Sequence, residues 1–294
     1  MKILLTGATG FIGSRLSKSL SSAKDNKLYC TTRSAKRSDA GEGITWIHQD
    51  FSQKLDFALF PVKLDTIIHL AQSKNYRNFP EQAIDIFDIN VSSTVQLLDY
   101  GRRAGISSFV YASTGGVYGY KDSPLLETDT PGPSGFYPYS KYISECLVKS
   151  YSTYFGTEIL RYFFVYGEGQ RDMLMPNLIG SITAGRPVTI HNQRGRRINP
   201  IYVDDAVRAT VAASSVQGNE IVNIAGNETI SILELAELIG RLVNKKPKVD
   251  FVTENQKIDM IADISKMKSK LDVNPRISLK EGLSRVVTSL SERE

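Results

Sequence analysis

Thr6-Gly7-Ala8-Thr9-Gly10-Phe11-Ile12-Gly13 decides the fold. It follows the apolar run Ile3-Leu4-Leu5 directly, so a glycine-rich turn stands between a buried strand and a helix at the start of the chain. Glycine accepts the positive φ of a tight turn. It also lets backbone approach a pyrophosphate and lets helix and strand pack closely. A helix opening at Phe11 turns free N–H groups and a partial positive charge toward an anion. The spacing is G-x-x-G-x-x-G, not the G-x-G-x-x-G of the older dinucleotide fingerprint. Its weight therefore comes from context: a strand before it, and Phe11, Ile12, Leu16 and Leu20 at helical spacing after it. Gly7, Gly10, Phe11, Ile12 and Gly13 are the candidate phosphate-cradling residues.

The bulk numbers narrow the class. With 294 residues, 41% hydrophobic and 23% charged, the chain reads as a soluble globule, long enough for one large domain or for a core domain with a smaller lobe. It has no apolar stretch of about 18 residues that could span a membrane. Thr6-Gly7 breaks the opening apolar run and Arg15 and Lys18 follow, which excludes a signal peptide. Two cysteines, Cys30 and Cys146, make neither a disulfide framework nor a metal spacing, and they point to a reducing, cytoplasmic setting. The net charge of +5 is spread over Arg33/Lys36/Arg37, Arg194/Arg196/Arg197 and Lys245/Lys246/Lys248. These short, scattered clusters lack interleaved aromatics, so they favour small phosphorylated ligands over nucleic acid.

Short apolar runs alternate with helical patterns up to residue 170. Strands are expected at Lys2–Thr6, Lys27–Thr32, Ile44–His48, Thr66–Ala71, Phe109–Ser113 and Glu158–Phe164, and helices at Phe11–Ser22, Pro80–Ala104 and Pro138–Tyr154. This alternation predicts an α/β, Rossmann-like doubly wound parallel sheet, with its ligand crevice at the carboxyl ends of the strands. Residues 171–294 are less regular and read as a smaller substrate-binding lobe. Segments 200–214 and 220–226 are expected to return to the dinucleotide domain of residues 1–170.

Tyr137-Pro138-Tyr139-Ser140-Lys141 is the second informative stretch. On a helix beginning near Pro138, Tyr137 and Lys141 share a face one turn apart. A phenol with a pKa of about 10 is a poor acid–base near neutrality, and a nearby cation lowers that value. With 14 tyrosines in the chain, one Tyr-x-x-x-Lys carries little weight alone. Ser113-Thr114-Gly115-Gly116 supplies context, because it sets hydroxyls at the carboxyl end of an expected strand. Thr114 or Ser113 would hold a substrate carbinol or carbonyl oxygen for Tyr137. The plain alternative is that these hydroxyls only cap the strand end.

Together these residues resemble the extended short-chain dehydrogenase/reductase family of sugar-nucleotide epimerases, dehydratases and reductases. The resemblance runs through Asp50-Phe51, His69-Leu70-Ala71, Asn90-Val91, Ala112-Ser113-Thr114-Gly115-Gly116-Val117-Tyr118-Gly119, Leu160-Arg161-Tyr162-Phe163 and Asn199-Pro200-Ile201-Tyr202-Val203-Asp204-Asp205, into the tail at Gly282-Leu283. It implies that Thr114 orients the substrate oxygen, Tyr137 is the acid–base and Lys141 holds the cofactor ribose. It also implies that Asp50 and Phe51 lie beside the adenine. Leu70, Ala71, Lys74 and Asn90 would then lie near the phosphates and nicotinamide ribose. The family's dimeric four-helix bundle implies a homodimer built on the helices around Glu81–Ala104 and Tyr137.

Three departures from the family pattern matter. Thr31-Thr32-Arg33 stands where NAD-binding members place a carboxylate, so Thr32 and Arg33 favour NADP, with NAD as the other option. Gly115-Gly116 replaces the acids that dehydratases use, and glycines move no protons. Phe164 replaces an Asn that contacts the substrate, leaving Asn177 and Arg197 as candidate diphosphate contacts. His69 reads as a core hydrogen-bonding residue, Asp204-Asp205 as the acidic first turn of a helix, and no histidine pair has metal spacing.

The expected activity is NADP-dependent reduction of a 4-keto nucleotide sugar, with hydride transfer at C4. The alternatives are a nucleotide-sugar 4-epimerase that retains NAD, and a non-catalytic dinucleotide sensor of the same fold.

Overall fold

The structure is a computed structural model that describes residues 1–34, 43–119, 121, 124–216, 218–253 and 259–292. The strands are β1 (Lys2–Thr6), β2 (Lys27–Thr32), β3 (Ile44–His48), β4 (Thr66–His69), β5 (Ser108–Thr114), β6 (Gly156–Tyr162), β7 (Val165–Tyr166), β8 (Val188–His191), β9 (Arg197–Ile198), β10 (Ile201–Tyr202), β11 (Asn219–Ile224), β12 (Ile230–Ser231) and β13 (Val249–Val252). The helices are α1 (Phe11–Ser21), α2 (Ala83–Phe87), α3 (Ser93–Ala104), α4 (Phe136–Ser150), α5 (Leu174–Thr183), α6 (Val203–Ser215), α7 (Ile232–Leu242), α8 (Ser265–Leu271) and α9 (Leu279–Ser291).

Seven strands form one sheet in the order β11-β6-β5-β4-β1-β2-β3. The pairs β1–β2, β2–β3, β1–β4 and β4–β5 are parallel, with Leu5 opposite Cys30 and Ile68 opposite Val110. The order reverses beside β1, which makes a doubly wound sheet with its switch point at the glycine turn. β1 and β4 are buried along almost their whole length, as parallel strands covered on both faces must be. Leu4, Ile67, Leu97, Phe109 and Ile159 share the core.

The chain divides into two compact units. The first comprises Met1–Gly119, Pro131–Arg161 and Val207–Val222, and the second Tyr120–Thr130, Tyr162–Ala206 and Asn223–Glu294. Within the second unit, α5 and α7 pack together, and β8 pairs with β13, β7 with β10 and β9 with β12. Among the described residues no helix is long and apolar enough to cross a membrane.

Several element boundaries differ from the sequence-based expectation, and three of the differences have a clear local reason. The expected helix Pro80–Ala104 is interrupted by a π-turn over Asp88–Ser92. The helix expected from Pro138 begins at Phe136, because Gly135 at φ +91° turns the chain before it. Pro138 then falls in the first turn, where no intrahelical N–H is needed. The strand expected to reach Phe164 stops at Tyr162, because Phe164 sits at φ +43°, outside extended geometry.

Candidate active site

β1 delivers the chain to Gly7, whose φ is +68°. A Cβ there would stand 2.8 Å from the Ala71 nitrogen, and one on Gly13 would stand 2.1 Å from the Gly7 carbonyl oxygen. Only glycine fits either place. α1 then opens from Gly10 with no side-chain cap and no acid in its first turn. Its unsatisfied N–H groups and dipole suit a diphosphate. Phe11 and Ile12, half-buried, begin that helix. These residues fit a dinucleotide.

The flanking candidates divide by accessibility. The Ala71 N–H donates to Thr6 Oγ1 at 3.2 Å, which sets the loop after β4, and Lys74 is exposed on that loop while Leu70 is half-buried. Thr32 is buried, and its Oγ1 accepts from the Ser34 N–H at 3.1 Å. Arg33 is exposed. Lys36 and Arg37, read with it as a basic cluster, lie outside the described residues. Asp50 Oδ1 accepts from the Ser52 N–H and hydroxyl. The Phe51 ring is buried and stacks on His69 at 6.1 Å, so its side chain serves the core. Asn90 is also buried. Its Oδ1 accepts from the Ser73 N–H at 3.0 Å and its Nδ2 donates to Ser140 Oγ at 2.9 Å, so it braces the loop from below.

Tyr137 and Lys141 stand one turn apart in α4, and Thr114 ends β5. The phenol of Tyr137 donates to Gln72 Oε1 at 3.0 Å, and its ring packs on Tyr76 at 4.8 Å. Thr114 Oγ1 accepts from the Gly116 N–H at 3.1 Å, which caps the turn that follows, and its hydroxyl proton remains to be donated. The Lys141 side chain is buried, with Nζ 4.3 Å from the Tyr111 ring centroid. That ammonium makes no hydrogen bond to a described residue, which leaves its donors for a ribose diol.

The expected lowering of the Tyr137 phenol by Lys141 is not what the geometry gives. Burial first and the neighbouring Tyr76 second push the phenol above its ordinary value. Lys141 itself is lowered to about 7, by burial against a smaller opposing effect of Glu145. A cation that holds its proton only part of the time near neutrality is a weak support for a phenolate. His69 is a core residue: Nδ1 pairs with Thr6 Oγ1 at 2.7 Å and Nε2 with Thr94 Oγ1 at 3.0 Å. Burial, then the Lys141 charge, holds it at about 3.

Ser113 faces away from Thr114. Its hydroxyl donates to Glu145, which a bidentate Arg161 also holds, so it is not presented to a ligand. In the second unit, Asn177 is exposed on α5. Arg197 is engaged: its N–H and Nε both donate to Asp259 at 2.8 Å, and Arg194 joins the same carboxylate at 3.1 Å. Burial would raise Asp259, but the hydrogen bonds from Arg194 and Arg197 hold it at about 2.

Sequence reasoning missed Gln72, Tyr76 and the buried Glu145–Arg161 pair. Glu145 was findable, since it follows Lys141 by four residues and Tyr137 by eight on one helical face.

A glycine turn at the switch point of a doubly wound sheet, with a Tyr/Lys pair on the helix packed against β5, defines a dinucleotide-binding protein of the short-chain dehydrogenase/reductase type. The NAD dependent epimerase/dehydratase family profile matches residues 3–225. UDP-glucuronate 4-epimerase of Thermodesulfobacterium geofontis is 31% identical, over 97% of this chain and 94% of its own. An uncharacterized UDP-glucose epimerase of Bacillus subtilis is also 31% identical, over 99% of this chain and 98% of its own. The UDP-glucuronic acid 4-epimerase of Bacillus cereus, solved with UDP-glucuronic acid and NAD, superposes with a TM-score of 0.90 at 28% identity over 100% of both chains. The chain belongs to the NAD dependent epimerase/dehydratase family.

Proposed function

We propose that the chain is a nucleotide-sugar 4-epimerase that keeps NAD bound and inverts C4 of a UDP-hexose or UDP-hexuronate. The observation that carries this reading is the Tyr137 phenol at the first turn of α4, with the Lys141 ammonium a turn below. NAD supplies a hydride acceptor and donor for the sugar carbon. In its phenolate form Tyr137 takes the proton of the substrate hydroxyl and as the phenol returns it, and the Thr114 hydroxyl steadies the same oxygen. Lys141 grips the ribose. Asn177 and Arg197 are the diphosphate contacts in this reading, with Arg197 held ready by Asp259.

The reduction expected from the sequence, and the NADP preference read from Thr32 and Arg33, have no counterpart in the Bacillus cereus 4-epimerase, whose solved structures hold NAD. Epimerisation needs no exchanging cofactor, so retained NAD supports it. The exposed apolar face of Ile84, Phe87, Val95, Tyr139 and Ile143 suits a second copy of the chain. Two free cysteines suit the cytoplasm.

The test is purified protein incubated with UDP-glucuronate or UDP-glucose and followed by proton NMR. A C4 epimer formed without added cofactor, from protein carrying NAD, is the expected result. Turnover only with added NADPH would replace this reading with the reductase.

A further inference from the structure

Glu145 and Arg161 face each other with side chains 0% and 1% exposed. Arg161 Nε donates to Oε1 at 2.9 Å and Nη2 to Oε2 at 2.6 Å. The guanidinium also lies 4.4 Å from the Tyr118 ring centroid. Desolvating such a pair costs several kcal/mol per ion, and well-packed apolar residues often replace one without loss of stability. Stability is therefore a weak reason for its presence.

Its location is more informative. Glu145 lies one turn beyond Lys141 and two beyond Tyr137 on α4. Its Oε1 also takes the hydroxyl of Ser113, the residue immediately before Thr114. Arg161 stands on β6, the sheet neighbour of β5. One carboxylate thus ties the helix that carries the phenol and ammonium to the strand end that carries the hydroxyl.

The same carboxylate acts on Lys141. Around that ammonium stand the Tyr111 ring on β5 and His69 on β4, which its charge lowers. Tyr137 and Glu145 share its helix. Burial drives Lys141 toward its neutral form, and the Glu145 charge opposes it.

We propose that Glu145 and Arg161 are positioning residues for proton transfer at Tyr137, and that the carboxylate also favours the charged form of the Lys141 amine for the dinucleotide. This rests on the site reading given above.

The test uses Glu145→Gln combined with Arg161→Met, which removes both charges of the pair together. NAD affinity is titrated from acid to alkaline pH, beside kcat and thermal unfolding. In the native protein, affinity falls as pH rises through about 7. In the folded double variant that midpoint drops by about 1 unit, the low end for loss of a neighbouring opposite charge. Its kcat falls by about 10², as for a misplaced catalytic group. Glu145→Asp keeps the charge and shortens the tether, so its midpoint stays native while kcat falls. An unchanged midpoint in the folded double variant overturns the electrostatic half, and an unchanged kcat overturns the positioning half. If the double variant does not fold, Glu145→Asp decides, and native kcat there overturns the proposal. Lys141→Met is the separate control: if its NAD affinity still varies with pH as in the native protein, the assignment of Lys141 itself fails.

Discussion

The ammonium of Lys141 lies over the face of the Tyr111 ring, 4.3 Å from its centroid and inside the protein. An aromatic face attracts a cation but replaces little of its lost hydration. Burial therefore dominates and lowers this lysine to about 7. A ligand that offers hydroxyl acceptors there binds the charged form better than the neutral one.

Proton uptake on cofactor binding follows. On the alkaline side of 7, the free protein has Lys141 mostly neutral, and a bound ribose draws a proton onto it. Calorimetry of NAD binding in buffers of different ionisation enthalpy is expected to show up to one proton taken up, and Lys141→Met is expected to take up none. The stability of the free protein moves with the same group. Between about 7 and the ordinary lysine value of 10.5, the unfolded chain holds the proton and the folded one does not. The Lys141 contribution therefore makes the free protein more stable as pH rises through that window. Chemical denaturation across it checks the sign.

Gly13→Ala is expected to damage the phosphate cradle. The added methyl would meet the Gly7 carbonyl oxygen at 2.1 Å, and neither backbone has room to yield. Overpacking of this kind costs roughly 1–3 kcal/mol. Urea unfolding would show that loss, and NAD titration a weaker complex. Native values in both would mean the turn is looser than its geometry.

Removing the Tyr137 hydroxyl with Tyr137→Phe keeps the ring against Tyr76 and deletes the proton. Epimer formation is expected to fall by roughly 10²–10⁴, the usual share of a general acid–base, with NAD binding nearly native. Thr114→Val loses the steadying hydroxyl and the cap on the Gly116 N–H, and Thr114→Ser is expected to restore most of the activity. Turnover of the phenylalanine variant near native would exclude the phenol from the chemistry.

Ile84 and Phe87 stand 74% and 46% exposed on α2, an apolar surface that a second copy of the chain would cover. The combined change Ile84→Glu and Phe87→Glu is expected to convert a dimer to a monomer in light scattering. A native protein that is already monomeric would remove the second copy from the account.

Much of the first unit was legible because its signals are local. Gly7 to Gly13 occupies consecutive residues between a strand and a helix, and Tyr137 and Lys141 lie one turn apart. What was not legible depends on residues distant in sequence. Arg197 read as a diphosphate contact without its partner, because Asp259 is 62 residues away. Ser113 and Thr114 read alike until the strand turned them to different partners. The lysine's effect on the phenol was misjudged because spacing shows proximity and not desolvation. Phe164 read only as a missing hydrogen bond, although its left-handed backbone is a conformation that Asn tolerates better than Phe.

The π-turn at Asp88–Ser92 gives its helix a phase. It leaves the Asn90 carbonyl to the hydroxyls of Thr94 and Ser144. Each residue inserted or deleted there would rotate everything downstream by about 100°. Deleting one would swing Leu97 and Leu98 away from the core and carry charged neighbours such as Asp99 inward. Length in this short segment is thus fixed more tightly than residue identity, and drift among homologues should spare its count before its letters.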